Sequence, residues 1–131
     1  NIRPPDEFVG AALRAMAVKP EMMEALRPAQ IRRLLLTPMR LMGQAWQQPA
    51  GPDGWPEDDG AWITPQGIAA RLDWAVNTPA QLRPDLPDPR NFVHDALGPN
   101  PPADVVFVAS AAETRADAIG LVLCAPAFQR R

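Results

Sequence analysis

Seventeen prolines in 131 residues decide what this chain can become, against a usual share near 5%. A proline has no backbone N–H, and its ring collides with the carbonyl four residues back. It therefore opens a helix well and interrupts one badly. The residue before it is also pushed out of the α region. Here the prolines fall singly or in clusters between apolar runs, so the chain reads as short segments punctuated by proline.

Most of those segments carry helical spacing. Pro4-Pro5-Asp6-Glu7 opens a helix in which Phe8, Val9, Ala12, Leu13 and Met16 form one apolar stripe, ending before Pro20. Residues 21–26 are expected to form a short helical turn. Pro28 starts a stronger helix with Ile31, Leu34 and Leu35 on one side. Thr37-Pro38 is expected to interrupt it and cap a new helix ending near Gly43. Thr64-Pro65 repeats that start, with Ile68, Leu72, Ala75 and Val76 on one apolar face and Trp74 at its edge. Residues 79–91 hold four prolines and read as an extended surface connector. Asp88-Pro89 caps a short helix closed by Gly98, and Pro101-Pro102 begins another through about Ser110. The cluster Val105–Val108 reads as a buried turn of that helix. A last helix runs from about Glu113 to Cys124, and Pro126 starts a turn that returns Phe128 to the core.

One stretch, from Gly43 to Trp62, breaks this pattern. It contains three of the four tryptophans, together with Gly51, Gly54, Gly60, Pro49, Pro52 and Pro56. A connection of that length is either functional or disordered. Its indoles argue for order, since disordered segments are poor in aromatics. Two readings follow. In one, the rings plug the core from one side. In the other, one or two rings stay exposed as a platform for a ligand or partner. The fold expected is an all-α, irregular bundle of six to seven short helices with one long, ordered Trp/Pro/Gly-rich loop, residues 1–131 making a single helical domain.

Composition removes several function classes. The net charge of −2 and the scattered arginines argue against a nucleic-acid surface. No apolar run approaches the roughly 20 residues that span a bilayer. A single cysteine, Cys124, excludes an internal disulfide and a cysteine-based metal site, and its apolar neighbours mark it as a packing residue. His94 and Ser110 are the only histidine and serine, too little for a catalytic triad, and no glycine-rich phosphate loop is present. No catalytic residue, metal ligand or cofactor is assigned.

The candidate ligand-binding residues are Trp55, Trp62, Glu57, Asp58, Asp59 and Arg71. Carboxylates beside aromatic rings can take sugars, cations or calcium, although the loop lacks a calcium-loop pattern. A solvated loop tip is the plainer reading. Arg71 falls in angle between Ile68 and Trp74. It is expected to reach beneath the loop, to pair with Asp53, Glu57, Asp58 or Asp59, or to stack on Trp55 or Trp62.

The run Gly43-Gln44 … Gly54-Trp55-Pro56 … Trp62 … Pro65 … Arg71-Leu72-Asp73-Trp74-Ala75 resembles the C-terminal part of the family called domain of unknown function 1800. Pro5-Asp6-Glu7-Phe8-Val9 resembles the segment that precedes this motif. Ala125-Pro126-Ala127-Phe128-Gln129-Arg130-Arg131 resembles the family's closing Ser-Pro-Glu-Phe-Gln-Arg-Arg, with alanine at 125 and 127 as departures. The resemblance implies a helical fold and a C-terminal fragment of a longer, exported parent, hence a periplasmic or secreted location. No catalytic set is established for the family, so none carries over.

The function expected is a non-catalytic helical module that binds a ligand or serves assembly through its Trp-rich loop. Its partners are the upstream part of the parent chain and a cell-envelope protein or glycan. The alternative is the C-terminal portion of an enzyme, such as a hydrolase, whose machinery lies upstream.

Overall fold

The computed structural model describes residues 2–43 and 64–130. Among them the architecture is all-α, with one isolated antiparallel bridge between Ile2 and Arg130 and no strand. The helices are α1 (Pro5–Ala15), α2 (Pro20–Glu24), α3 (Pro28–Ile31), α4 (Thr37–Leu41), α5 (Pro65–Asn77), α6 (Pro79–Leu82), α7 (Pro89–Leu97), α8 (Ala103–Ala111), α9 (Arg115–Cys124) and α10 (Pro126–Gln129).

Proline sits at the first or second position of eight of these ten helices, and where the helix truly begins its missing N–H leaves no unmet helical bond. Side-chain caps complete three starts. Thr64 Oγ1 accepts from the Gly67 N–H at 2.9 Å, Asp88 Oδ1 from Arg90 at 2.9 Å, and Thr114 Oγ1 from Asp117 at 3.1 Å. The α1 helix closes in a Schellman arrangement, with Ala17 N–H on the Arg14 carbonyl and Val18 N–H on the Leu13 carbonyl, both 3.0 Å. Ala17 stands at φ 56°, in the left-handed region that usually belongs to glycine.

The expected break at Thr37-Pro38 does not occur. Thr37 is itself helical, and the chain runs from α3 into α4 through a π-helical turn, Arg32–Leu36. The Thr37 N–H reaches the Arg32 carbonyl five residues back. A wider turn gives the Pro38 ring room that a regular α-turn lacks. Two other expectations also change. The proline-rich stretch after Pro79 is not wholly extended, since its first residues form α6, which buries Pro79 and Leu82. The Val105–Val108 turn is helical, but it buries Val105 and leaves Phe107 72% exposed, because α8 covers the core with only one edge.

The core gathers Phe8, Met16, Leu34, Met42, Trp74, Phe92, Ile119, Leu123 and Phe128 into one cluster, each at most 3% exposed. Burying each such side chain contributes about 1.5–3 kcal/mol. The α5 helix lies at the centre, packed on α4, α6 and α9. Close α5–α9 packing depends on Gly120, where an added Cβ would stand 3.2 Å from the Ala75 carbonyl oxygen and from Val76 Cα. Cys124 is half-buried and packs against the core, and burial pushes its thiol pKa up.

Candidate functional site

The stripe expected to face inward on α5 is turned around. Gly67, Arg71, Trp74 and Ala75 are buried, whereas Ile68, Leu72 and Val76 are 42%, 44% and 45% exposed. The largest ring decides the rotation. Trp74 is 1% exposed, and its Nε1–H donates to the Leu34 carbonyl at 2.8 Å, so the indole is both packed and satisfied. The three smaller apolar residues are left on the opposite face.

Turning Trp74 inward carries Arg71 with it, one turn earlier on the same face. Its guanidinium donates through Nη2 to the Arg3 carbonyl at 2.6 Å and through Nη1 to Gln129 Oε1 at 2.9 Å. Gln129 in turn donates through Nε2 to the Leu123 carbonyl at 2.7 Å. The Arg71 Cζ lies 5.3 Å from the Phe8 ring centroid, and Arg3 Cζ lies 4.7 Å from that of Phe128. Phe8 itself makes edge contacts with Trp74 and Phe128, at centroid distances of 5.7 and 5.9 Å. Arg71 thus fastens the residues before α1 to α10 across three aromatic rings. At 4% exposure with Nε unpartnered, its pKa is drawn down to about 10 by loss of solvation.

The acidic partners foreseen for Arg71, and Trp55, Trp62, Glu57, Asp58 and Asp59, lie outside the described residues. Its partners are instead Arg3, Phe8 and Gln129, which sequence spacing does not reveal. The only available signal was the closing Phe-Gln pair of the motif. Among the described residues no group of three His, Cys, Asp or Glu could hold a metal. His94 is exposed, and the Ser110 hydroxyl donates to the Val106 carbonyl of its own helix at 2.8 Å, so the two form no catalytic pair.

Beside this fastening lies a groove between α5 and α9. One half is a cavity of about 250 Å³ lined by Ile2, Ile68, Arg71, Leu72, Cys124 and Pro126, with Arg130 at its end. The other, about 300 Å³, is lined by Val76, Gly120, Leu121 and Cys124, with Asp117 at its end. Cys124 borders both halves, and Leu121 is 44% exposed. No helix among the described residues is long and apolar enough to cross a membrane.

The family described as "Protein of unknown function (DUF1800)" matches residues 1–130. The chain belongs to that family. No curated protein and no solved structure matches it. Within the DUF1800 motif, the resemblance put Arg71 and Trp74 together in one short run, and the fold gives them one inward face of α5. In this DUF1800 chain both residues serve the scaffold. Trp74 answers a backbone carbonyl left by a proline, and Arg71 joins two chain segments distant in sequence.

Proposed function

We propose that this DUF1800 chain is a non-catalytic assembly module of an exported protein, and that its α5–α9 groove receives an apolar-faced helix. The observation that carries this reading is the row Ile68, Leu72, Val76, exposed at one-turn intervals beside Leu121. Eight residues of helix span about 12 Å, enough to meet two turns of a docking helix. Helix-in-groove recognition uses anchors at this spacing. The charges at the two ends of the groove give the visitor a direction. Asp117 suits the positive N-terminal end of a helix, and Arg130 the negative C-terminal end.

The donor of that helix is the upstream part of a longer parent chain. The Trp-rich segment enters α5 at Thr64, one turn from Ile68. Trp55 and Trp62, with Glu57, Asp58 and Asp59, precede Thr64 in sequence and lie outside the described residues. Export rests on the family resemblance alone.

A photo-crosslinking residue in place of Leu72 in the full-length parent tests the reading. Crosslinks to an upstream segment with helical apolar spacing are expected, and they should fade when Ile68 is changed to Glu. Crosslinks to a separate envelope protein would reassign the partner. No protein crosslink at Leu72, with crosslinking intact at a control site, would contradict the reading.

A further inference from the structure

The groove is not the largest cavity among those described. One of about 520 Å³ opens where α1 ends, with Phe128 in its lining. Its wall holds two cations, Arg3 and Arg14, and one carboxylate, Asp95. Ala17 closes one side, and the rest is the Phe128 ring and small alanine side chains. A volume of this order suits a small molecule.

The Arg3 guanidinium is poorly compensated. Burial first, and then the Arg14 charge, pull the Arg3 pKa down, and only Glu7 acts against them. Arg3 Nη1 is shut from water with no acceptor. The Phe128 ring under Arg3 steadies the guanidinium without accepting its N–H groups. A buried arginine in this condition, with a second arginine in the same wall, is matched by a carboxylate, whose two oxygens meet a guanidinium fork. Asp95 in the same wall disfavours a dianion such as phosphate and favours a ligand that brings its own cation.

We propose that this cavity binds a small zwitterion, an α-amino acid or the end of a short peptide. Its carboxylate meets Arg3 and Arg14, and its ammonium meets Asp95. The alanine-lined wall leaves room for a small side chain. This site is separate from the α5–α9 groove and stands or falls independently of it.

The test is a calorimetric titration of the whole chain with alanyl-alanine, propionate and methyl phosphate. Alanyl-alanine should saturate with a Kd at or below about 1 mM. Propionate, lacking the ammonium, should bind about fivefold more weakly or worse. Arg14→Ala and Asp95→Asn should each weaken the dipeptide by a similar factor. Both side chains are exposed, so the fold should survive, and Arg14→Gln replaces Arg14→Ala should that variant unfold. No saturation by the dipeptide, dipeptide binding unchanged in both variants, or tighter binding of methyl phosphate would each overturn the proposal.

Discussion

The indole of Trp74 donates its N–H to the carbonyl of Leu34, 40 residues away in sequence, at 2.8 Å. Leu34 stands four residues before Pro38, which has no N–H to return to it. A tertiary donor thus answers a carbonyl that a proline leaves short. Trp74→Phe should strand that carbonyl and destabilise the fold by about 1–3 kcal/mol, beyond the small loss of ring volume. Pro38→Ala restores a backbone donor, so the Trp74→Phe penalty should shrink in that background. A double-mutant cycle by urea unfolding measures the difference, and additive effects would dissociate the two residues.

Arg71 performs a related task with two donors. Arg71→Met would leave the Arg3 carbonyl and Gln129 Oε1 without it, at a cost of about 2–4 kcal/mol. Arg71→Lys keeps the charge but lacks the planar fork, so it should recover less than half of that loss. The pH dependence has a definite sign. Burial lowers the folded-state value to about 10, so the charged form is disfavoured on folding. Below that pH both states hold the proton and Arg71 adds no slope. As pH rises from about 10 toward the ordinary guanidinium value, its unfavourable contribution is relieved. Denaturation of the wild type and Arg71→Met across neutral pH should therefore give parallel curves.

At the start of α7, Asp88 accepts from the Arg90 N–H at 2.9 Å and pairs with its Nη2 at 3.0 Å. The Arg90 side chain, then its backbone N–H, hold the Asp88 carboxyl at about 2, well below the ordinary 3.8. A lowered carboxylate stabilises above its unfolded value and loses that contribution as pH falls through the folded one. The affected window is pH 3.8 down to about 2. Asp88→Asn retains a capping oxygen without the titration, so it should flatten this part of the acid-unfolding curve. Carboxyl NMR of Asp88 gives the same value directly.

Ala17 closes α1 in a left-handed conformation, at φ 56°. Glycine takes this conformation without the Cβ clash. Ala17→Gly should raise stability by about 0.5–1 kcal/mol, even though glycine loses more chain entropy on folding. Thermal melting reads the change, and a lower Tm would show that the Ala17 methyl contributes more packing than its strain costs.

Much of the fold is legible in the sequence because prolines and caps are local signals. Pro5, Pro65, Pro89 and Pro126 open helices, and Thr64 and Asp88 cap two of them, all decided within a few residues. What periodicity does not reveal depends on distant partners. Pro38 stays inside a helix because a π-turn makes room for its ring and Trp74 answers the Leu34 carbonyl. The same bond settles which face of α5 turns inward, against an apolar count that favours Ile68, Leu72 and Val76. Spacing marks Arg71 as a residue that reaches beneath the Trp-rich stretch, but the partners the fold gives it stand 58 and 68 residues away, and nothing local names them. The tryptophans and acids of the Trp-rich stretch lie outside the described residues, so sequence remains their only guide.

The α5 helix has two faces: the inward one, with Arg71 and Trp74, holds the fold, and the outward one, with Ile68, Leu72 and Val76, is exposed and is the docking face proposed above. Urea unfolding of the isolated chain, comparing Trp74→Phe with the double variant Ile68→Glu, Leu72→Glu, tests this division most directly. The outward variant should stay within about 0.5 kcal/mol of wild type, as exposed positions do, while Trp74→Phe loses at least about 1 kcal/mol. An outward variant that unfolds as readily as Trp74→Phe would mean that Ile68 and Leu72 already belong to the core, and the docking face would not exist.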